Sequence, residues 1–156
     1  MTRTGLQKEL EHPNVWAFLK AIRLGEGTSD NAGYYRIVGG GTFTDDSQHP
    51  RVRVHIPRYD VYSTAAGAYQ IIWPTWKGLV IKYAFSDFTP QSQDEAAVAL
   101  IEGRSALPAI RQGDLKKAIE LCNKEWASLP GSPYGQRTED YAAVEKVYVD
   151  AGGVLA

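Results

Sequence analysis

Apolar residues recur at helical spacing early in the chain. Four of them stand at i, i+3, i+4 and i+7, the spacing of one buried helical face, namely Val15, Phe18, Leu19 and Ile22. Pro13 suits the first turn of a helix, and Gly25 suits its end. The pattern therefore predicts a helix from about Pro13 to Gly25.

Glu26 occupies the next step of this apolar stripe, where a hydrophobic residue would be expected. A carboxyl group at the edge of a core loses hydration, which raises its pKa. An acid that keeps its proton near neutral pH can donate it to a leaving group. The alternative is that Gly25 ends the helix and Glu26 turns into solvent, where most glutamates lie. The spacing alone leaves both interpretations open.

Residues 27–67 change character, because glycines interspersed with Thr, Ser, Asp and Asn indicate turns. Tyr35–Val38 and Arg51–Ile56 carry β-branched or alternating residues and predict a small antiparallel sheet. From Trp73 onwards the helical spacing returns, interrupted by prolines and glycines. Further helices are predicted over about 73–84, 91–103, 105–111, 114–127 and 138–151.

This order of elements predicts a single α+β domain over residues 1–156, with a small antiparallel β lobe and a larger helical lobe. Strands that are bunched together, rather than alternating with helices, argue against an α/β fold. Two lobes of different secondary structure favour a groove between them, and Glu26 stands at their junction. An extended groove suits a polymeric ligand.

Composition narrows the possible functions. The 156 residues are 44% hydrophobic and 22% charged, as in a globular domain, and the net charge of −1 gives no electrostatic case for nucleic acid or an anionic membrane. The single cysteine, Cys122, excludes an intramolecular disulfide and a cysteine-based zinc site, and it is predicted to be a small buried residue. We expect neither a cofactor nor a bound metal, because the three histidines also lack metal-ligand spacing.

The N-terminal segment is polar and lacks the apolar stretch of a secretory signal. No apolar run approaches the roughly 20 residues of a membrane span. We therefore expect a protein that is made in the cytoplasm and stays there until something else releases it.

Aromatic residues are abundant, with 4 Trp and 9 Tyr. Three tryptophans stand in helical patterns and are predicted to be buried: Trp16, Trp76 and Trp126. Four tyrosines lie near glycines, where side chains pack less deeply: Tyr34, Tyr35, Tyr69 and Tyr134. Aromatic rings along a groove stack on sugar faces while their hydroxyls form hydrogen bonds. Taken singly, each tyrosine fits a structural role equally well.

Two amide side chains stand in positions that suit a ligand rich in N-acetyl groups. Gln70 follows a small-residue segment, and Gln136 lies on a loop after Tyr134. Gln70 also fits the alternative of a core amide bonded to the backbone. Asp45, Asp46 and Asp60 are available as a second carboxylate, although the segment of Asp45 and Asp46 is more typical of a turn. The chain has no phosphate-binding loop and no nucleophile elbow.

Short motifs follow one another along the chain in a fixed order: Glu26-Gly27-Thr28, Gly33-Tyr34, Ile37–Gly40, Phe43–Asp45, His49-Pro50, Ser63–Gly67, Tyr69-Gln70, Ser92–Asp94, Ala106–Pro108, Trp126–Gly131 and Tyr134–Gln136. Together they resemble the phage lambda endolysin family, the small lysozyme-like lytic transglycosylases, over residues 14–153. The resemblance implies a lysozyme-like catalytic domain with a peptidoglycan groove and Glu26 as its catalytic acid.

The resemblance also implies a reaction. The β-1,4 bond between N-acetylmuramic acid and N-acetylglucosamine is cleaved without water, because the C6 hydroxyl of the sugar attacks C1 and leaves a 1,6-anhydromuramic end. The implied partners are peptidoglycan glycan strands and a holin that releases the enzyme from the host cytoplasm to the cell wall. We expect a monomer whose substrate-binding residues are Tyr34, Tyr69, Gln70, Tyr134 and Gln136.

Two alternatives remain open at this point. A hydrolytic muramidase would use Glu26 as the acid, with Asp45 or Asp46 assisting a water molecule. A non-catalytic peptidoglycan-binding module would need no acid at position 26.

Overall fold

The computed structural model describes residues 1–135 and 137–156, so Gln136 lies outside the described residues. The described residues form seven α-helices, one 3-10 helix and one two-stranded sheet. In chain order the helices are α1 (Arg3–Leu10), α2 (Pro13–Glu26), α3 (Trp73–Tyr83), α4 (Pro90–Gly103), α5 (Leu107–Arg111), α6 (Leu115–Cys122) and α7 (Tyr141–Asp150). The strands β1 (Val54–Ile56) and β2 (Val61–Ser63) lie between α2 and α3, which confirms the α+β class.

The predicted apolar stripe forms the buried face of α2, and all four of its residues lie in the core. Pro13 occupies the first turn, and the Nδ1 atom of His12 accepts a hydrogen bond from the backbone N–H of Asn14 at 3.1 Å. The helix continues through Glu26, one residue beyond the predicted end, and Gly27 terminates it. Glu26 is therefore a helical residue and not part of the following turn.

The β lobe is smaller than predicted. β1 and β2 pair in antiparallel register, with His55 opposite Tyr62. The predicted strand at Tyr35–Val38 is wrong, because a 3-10 helix spans Asn31–Tyr35 and only isolated bridges follow it. Gly39 and Gly40 adopt positive φ angles of 87° and 100°, which turn the chain before a ladder can extend.

The helix α1 was not predicted, because its segment carries only one fully buried apolar side chain, that of Leu6. A long-range contact holds it in place. Arg3 donates from Nε to Oε1 of Glu95 at 3.1 Å, and the carboxylate of Glu95 is fully buried on α4. Because Arg3 and Glu95 are 92 residues apart, their contact produces no periodic pattern in the sequence of α1.

The helical lobe follows the predicted elements, and its helices other than α4 are shorter than predicted. Trp76, Trp126 and Cys122 are buried as predicted, although Trp126 follows α6 and does not lie within it. Trp16 is only half-buried, and the ammonium of Lys20 lies 5.1 Å from its ring centroid. Within residues 1–135 and 137–156, no helix combines the length and the apolar character that crossing a membrane requires.

Candidate active site

A groove of about 650 Å³ contains the carboxyl group of Glu26. The hairpin formed by β1 and β2 supplies part of its lining through residues 56–63, and residues 125–128 supply another part. Gln70 also lines this groove. The end of α2 thus presents an acid to an open cleft flanked by residues of the two lobes.

The position of Glu26 follows from the way α2 ends. Gly27 adopts a left-handed conformation with φ of 70°, which glycine tolerates better than any other residue. The backbone N–H of Thr28 donates to the carbonyl of Arg23 at 3.0 Å, and that of Gly27 donates to the carbonyl of Leu24 at 3.2 Å. This Schellman pattern fixes the orientation of the last helical turn and of the side chain on it.

Arg23 secures the turn that follows Glu26. Its buried guanidinium donates from Nε to the carbonyl of Thr28 at 2.8 Å and from Nη2 to the carbonyl of Asp30 at 2.6 Å. The hydroxyl of Thr28 donates in turn to the carbonyl of Ala68 at 2.5 Å. These bonds tie the end of α2 to the segment that carries Gln70. Sequence reasoning missed Arg23, because a charged residue on a helix usually faces solvent.

The environment of Glu26 favours its protonated form. Burial raises the pKa of this carboxyl from 4.5 to about 7, and the hydrogen bond from Ser128 opposes the rise. That bond is long, with 3.4 Å between Oγ of Ser128 and Oε1 of Glu26, so desolvation dominates. Glu26 can therefore hold a proton near neutral pH, as an acid catalyst must.

This raised pKa predicts a pH-dependent gain in stability for the Glu26→Gln variant. Between pH 4.5 and about 7, the unfolded chain loses a proton that the folded protein retains, so the wild type loses stability as pH rises through this window. The variant is expected to exceed the wild type by about 3 kcal/mol in free energy of unfolding at pH 8 and to match it at pH 4. Urea denaturation at both pH values measures this difference. Glu120→Gln, at an exposed position, is the control, and an equal gain at both pH values would contradict the burial of Glu26.

Gln70 lies in the groove as predicted, and its amide also has a structural role. Nε2 donates to the carbonyl of Gly67 at 2.8 Å and to that of Arg36 at 3.3 Å. The residue itself has a positive φ of 48°. The amide of Gln70 thus donates to backbone carbonyls, which agrees with the alternative of a core amide bonded to the backbone. Gln70 nevertheless lines the groove. Its role in substrate binding stays a prediction.

The predicted binding tyrosines occupy other positions. Tyr69 is only 1% exposed, and its hydroxyl donates to Oδ1 of Asp94 at 2.6 Å, so the prediction that its side chain faces the glycan is wrong. The hydroxyl of Tyr34 donates to the same oxygen at 2.9 Å, and its ring packs on Arg23, outside the groove lining. Tyr134 is exposed and donates to the carbonyl of Lys124 at 3.2 Å, also outside the groove lining.

Asp94 explains why the first two tyrosines turn away from the groove. Burial raises the pKa of this carboxyl, and the hydrogen bonds from the phenols of Tyr69 and Tyr34 oppose that rise. A buried carboxyl requires hydrogen-bond donors, and these two phenols supply them. The partners lie 25 and 60 residues apart in sequence, so the sequence pattern did not reveal the cluster.

Other aromatic residues line the groove instead. Tyr59 and Tyr62, on the hairpin, are 42% and 58% exposed. Sequence analysis missed them because β2 spans only three residues, too few for a periodic signal. The only sequence signal that could have identified them is the presence of two tyrosines close together in a polar segment. Their exposed rings suit stacking on sugar faces.

The candidate second carboxylates do not lie in the groove. Asp45 accepts a hydrogen bond from the backbone N–H of Ser47 at 2.9 Å, as the turn interpretation expected. Asp46 accepts one from the hydroxyl of Tyr35 at 2.8 Å. Glu125 does line the groove, and its Oε2 accepts from Nε of Arg104 at 2.8 Å. In the described ranges 1–135 and 137–156, no three His, Cys, Asp or Glu side chains are grouped as metal ligands would be.

A helical lobe, a small β lobe and a carboxylic acid at a helix end in the cleft define a protein of the lysozyme fold class. The profile of the endolysin family matches residues 16–155, and the chain belongs to this family. It is 40% identical over 146 residues to the endolysin of Escherichia phage lambda, covering 89% of this chain and 91% of that protein. It is also 40% identical over 159 residues to the endolysin of Escherichia phage P2, covering 93% and 96%.

A solved structure of bacteriophage lambda lysozyme complexed with a chitohexasaccharide matches the fold with a TM-score of 0.87. The sequence identity is 39%, and the match covers 92% of this chain and 97% of that one. A second structure of the bacteriophage lambda lysozyme matches with a TM-score of 0.83 at 38% identity, with the same coverage. The predicted resemblance and the lysozyme-like fold are thereby confirmed.

Proposed function

We propose that this endolysin is a lytic transglycosylase that cleaves the β-1,4 bond between N-acetylmuramic acid and N-acetylglucosamine. Protonated Glu26 donates its proton to the glycosidic oxygen, and the bond from that oxygen to C1 breaks. The C6 hydroxyl of the muramic residue then bonds to C1, and its proton passes to the Glu26 carboxylate. Water is not consumed, and the acid is regenerated.

The proposal rests on one observation: the candidate second carboxylates either lie outside the groove or are already paired. Hydrolytic glycosidases commonly use two carboxyl groups that flank the scissile bond, one as acid and one as base or nucleophile. Here Asp45 and Asp46 are bonded outside the groove, and Glu125 is paired with Arg104. A nucleophile already attached to the sugar removes the need for a second carboxylate, because proximity supplies much of the rate enhancement.

The lining of the groove supports a glycan strand as the substrate. Tyr59 and Tyr62 offer exposed rings, and Gln70 adds an amide beside them. The lambda lysozyme of similar fold was solved with a chitohexasaccharide, which is a glycan. Peptidoglycan provides such a strand, with N-acetyl groups that amide and hydroxyl groups can bind.

The reaction type is tested by its product. Digested glycan is expected to end in 1,6-anhydromuramic acid, one water lighter than the hydrolysed product and without a reducing end. Mass spectrometry before and after borohydride reduction distinguishes the two, because only a reducing end gains two hydrogens. Reducing muramic ends as the main product would identify a hydrolytic muramidase and give Glu125 a role in activating water. Binding to cell walls without any cleavage would identify a non-catalytic module.

We further propose that the enzyme accumulates in the host cytoplasm as a monomer until a holin permeabilises the inner membrane. Expression in a Gram-negative host is expected to leave cells intact until chloroform or a co-expressed holin is supplied, after which the culture lyses within minutes. Turbidity measures lysis, and release of a cytoplasmic marker reports membrane integrity. The Glu26→Gln variant controls for lysis by the permeabilising agent itself. Lysis at low expression with an intact inner membrane would contradict this proposal.

A further inference from the structure

Three arginines lie in or just before the hairpin, and each places its guanidinium near an aromatic ring. Arg51 lies 3.7 Å from the ring centroid of Trp73, and Arg53 lies 4.2 Å from that of Tyr62. Arg58 stands at the tip, where its guanidinium lies 5.4 Å from the ring centroid of Tyr59. Arg58 is the member of this group that lines the groove.

A second arginine, Arg137, lines the same groove. Its side chain is 79% exposed, and its Nη2 lies 3.3 Å from a carboxylate oxygen of Glu139. In the described part of the chain, no carboxylate forms an ion pair with Arg58. The acid at the hairpin tip, Asp60, shares a hydrogen bond of 2.9 Å with Nε2 of His55. Two guanidinium groups therefore line the same groove as Glu26, and the charge of Arg58 is available.

The N-acetylated glycan backbone carries no anionic group with which these cations could form an ion pair. The proposed cleavage takes place between N-acetylated sugars, which need aromatic and amide contacts. The same polymer carries peptide side chains on its muramic residues, and those peptides end in carboxylates. A guanidinium offers paired N–H donors that match a carboxylate, which makes arginine suited to this recognition.

We propose that Arg58, assisted by Arg137, binds the carboxylates of the peptide stems and so makes the enzyme prefer glycan strands that carry charged stems. This inference rests on the proposed glycan-cleaving function. The hairpin tip then selects the substrate, while Glu26 performs the chemistry. Exposed ion pairs of this kind affect association and selectivity more than overall affinity.

The test compares two forms of one substrate. Soluble uncross-linked glycan strands with free stem carboxylates are compared with the same strands after those carboxylates have been converted to methyl amides. The kcat/KM of the wild type is expected to be roughly threefold to tenfold higher on the charged strands, in line with exposed ion pairs. Arg58→Gln is expected to bring the ratio of kcat/KM on charged strands to kcat/KM on amidated strands close to one. Arg58→Lys keeps the charge and is expected to retain part of the preference.

Arg51→Gln is the matched control, because it removes the same charge nearby from a residue that stacks on Trp73 outside the groove lining. It is expected to keep the wild-type preference. Raising the salt concentration to about 1 M is expected to abolish the preference of the wild type, since screening then acts within about 3 Å. An equal loss on both substrates in Arg58→Gln, or no preference in the wild type, would overturn the inference. Failure of the wild type to cleave either form would instead refute the proposed function.

Discussion

Replacement of Glu26 by Gln is expected to lower turnover of peptidoglycan by about 10²–10⁴-fold. Glutamine keeps the size of the side chain and can still accept the hydrogen bond from Ser128, and it has no proton to transfer. The loss should appear in kcat, because proton donation occurs in the chemical step and not in binding. Release of soluble fragments from purified cell walls, measured at pH 6, provides the rate.

The matched control for this experiment is Glu125→Gln, the other groove carboxylate, which pairs with Arg104. A transglycosylase that depends on one acid is expected to retain most of its activity in this variant. Thermal melting of both proteins establishes that they are folded. Substantial cell-wall lysis by folded Glu26→Gln would remove Glu26 from the mechanism. A comparable loss in folded Glu125→Gln would indicate that two carboxyl groups cooperate.

A second large effect is expected from Gly25→Ala, one residue before the acid. A Cβ atom at position 25 would lie 2.3 Å from Oγ of Ser128 and 2.9 Å from its Cβ, so either α2 or the segment around Ser128 must move. Because Glu26 and Ser128 line the same groove, this displacement misplaces the acid. Misplacement of about 1 Å can cost about 10²-fold in rate, and we expect a loss of this order in kcat/KM for cell-wall cleavage.

The steric cause can be tested by rescue. Ser128→Gly removes the two side-chain atoms that would clash with the new methyl group, so the double variant is expected to recover to within about tenfold of Ser128→Gly alone. Gly78→Ala on α3 is the control, because no described atom lies within 4 Å of a Cβ at that position. It should leave activity unchanged. If Gly25→Ala is fully active, or if Ser128→Gly fails to restore the double variant, close packing at Gly25 does not control the acid.

Local signals predicted most of the secondary structure. The apolar stripe of α2 was correct because four side chains bury one helical face, and a 3.6-residue period records this directly. The helices of the larger lobe were found from the same period, with ends displaced by a few residues. The β lobe was predicted less well, because β1 and β2 contain only three residues each and the other pairings are isolated bridges.

The candidate site was predicted in part. Glu26 was singled out because a carboxyl group interrupts an apolar stripe, and Gln70 because an amide lies between hydrophobic residues. Neighbouring residues in sequence do not predict where the tyrosine side chains lie, because partners distant in sequence decide their orientation. Tyr69 and Tyr34 turn towards Asp94 because a buried carboxyl group requires donors.

The sequence by itself determined the class of fold, the helix that carries the acid, and the family to which the chain belongs. Periodicity and ordered motifs are local properties, and they can be identified without coordinates. Only the tertiary structure decided that burial raises the pKa of Glu26 to about 7, that Asp45 and Asp46 lie outside the groove, and that Tyr59, Tyr62 and Arg58 line it. Desolvation, hydrogen bonding and access to a groove depend on groups that are distant in sequence and meet only after folding, and this is why no local pattern contained them.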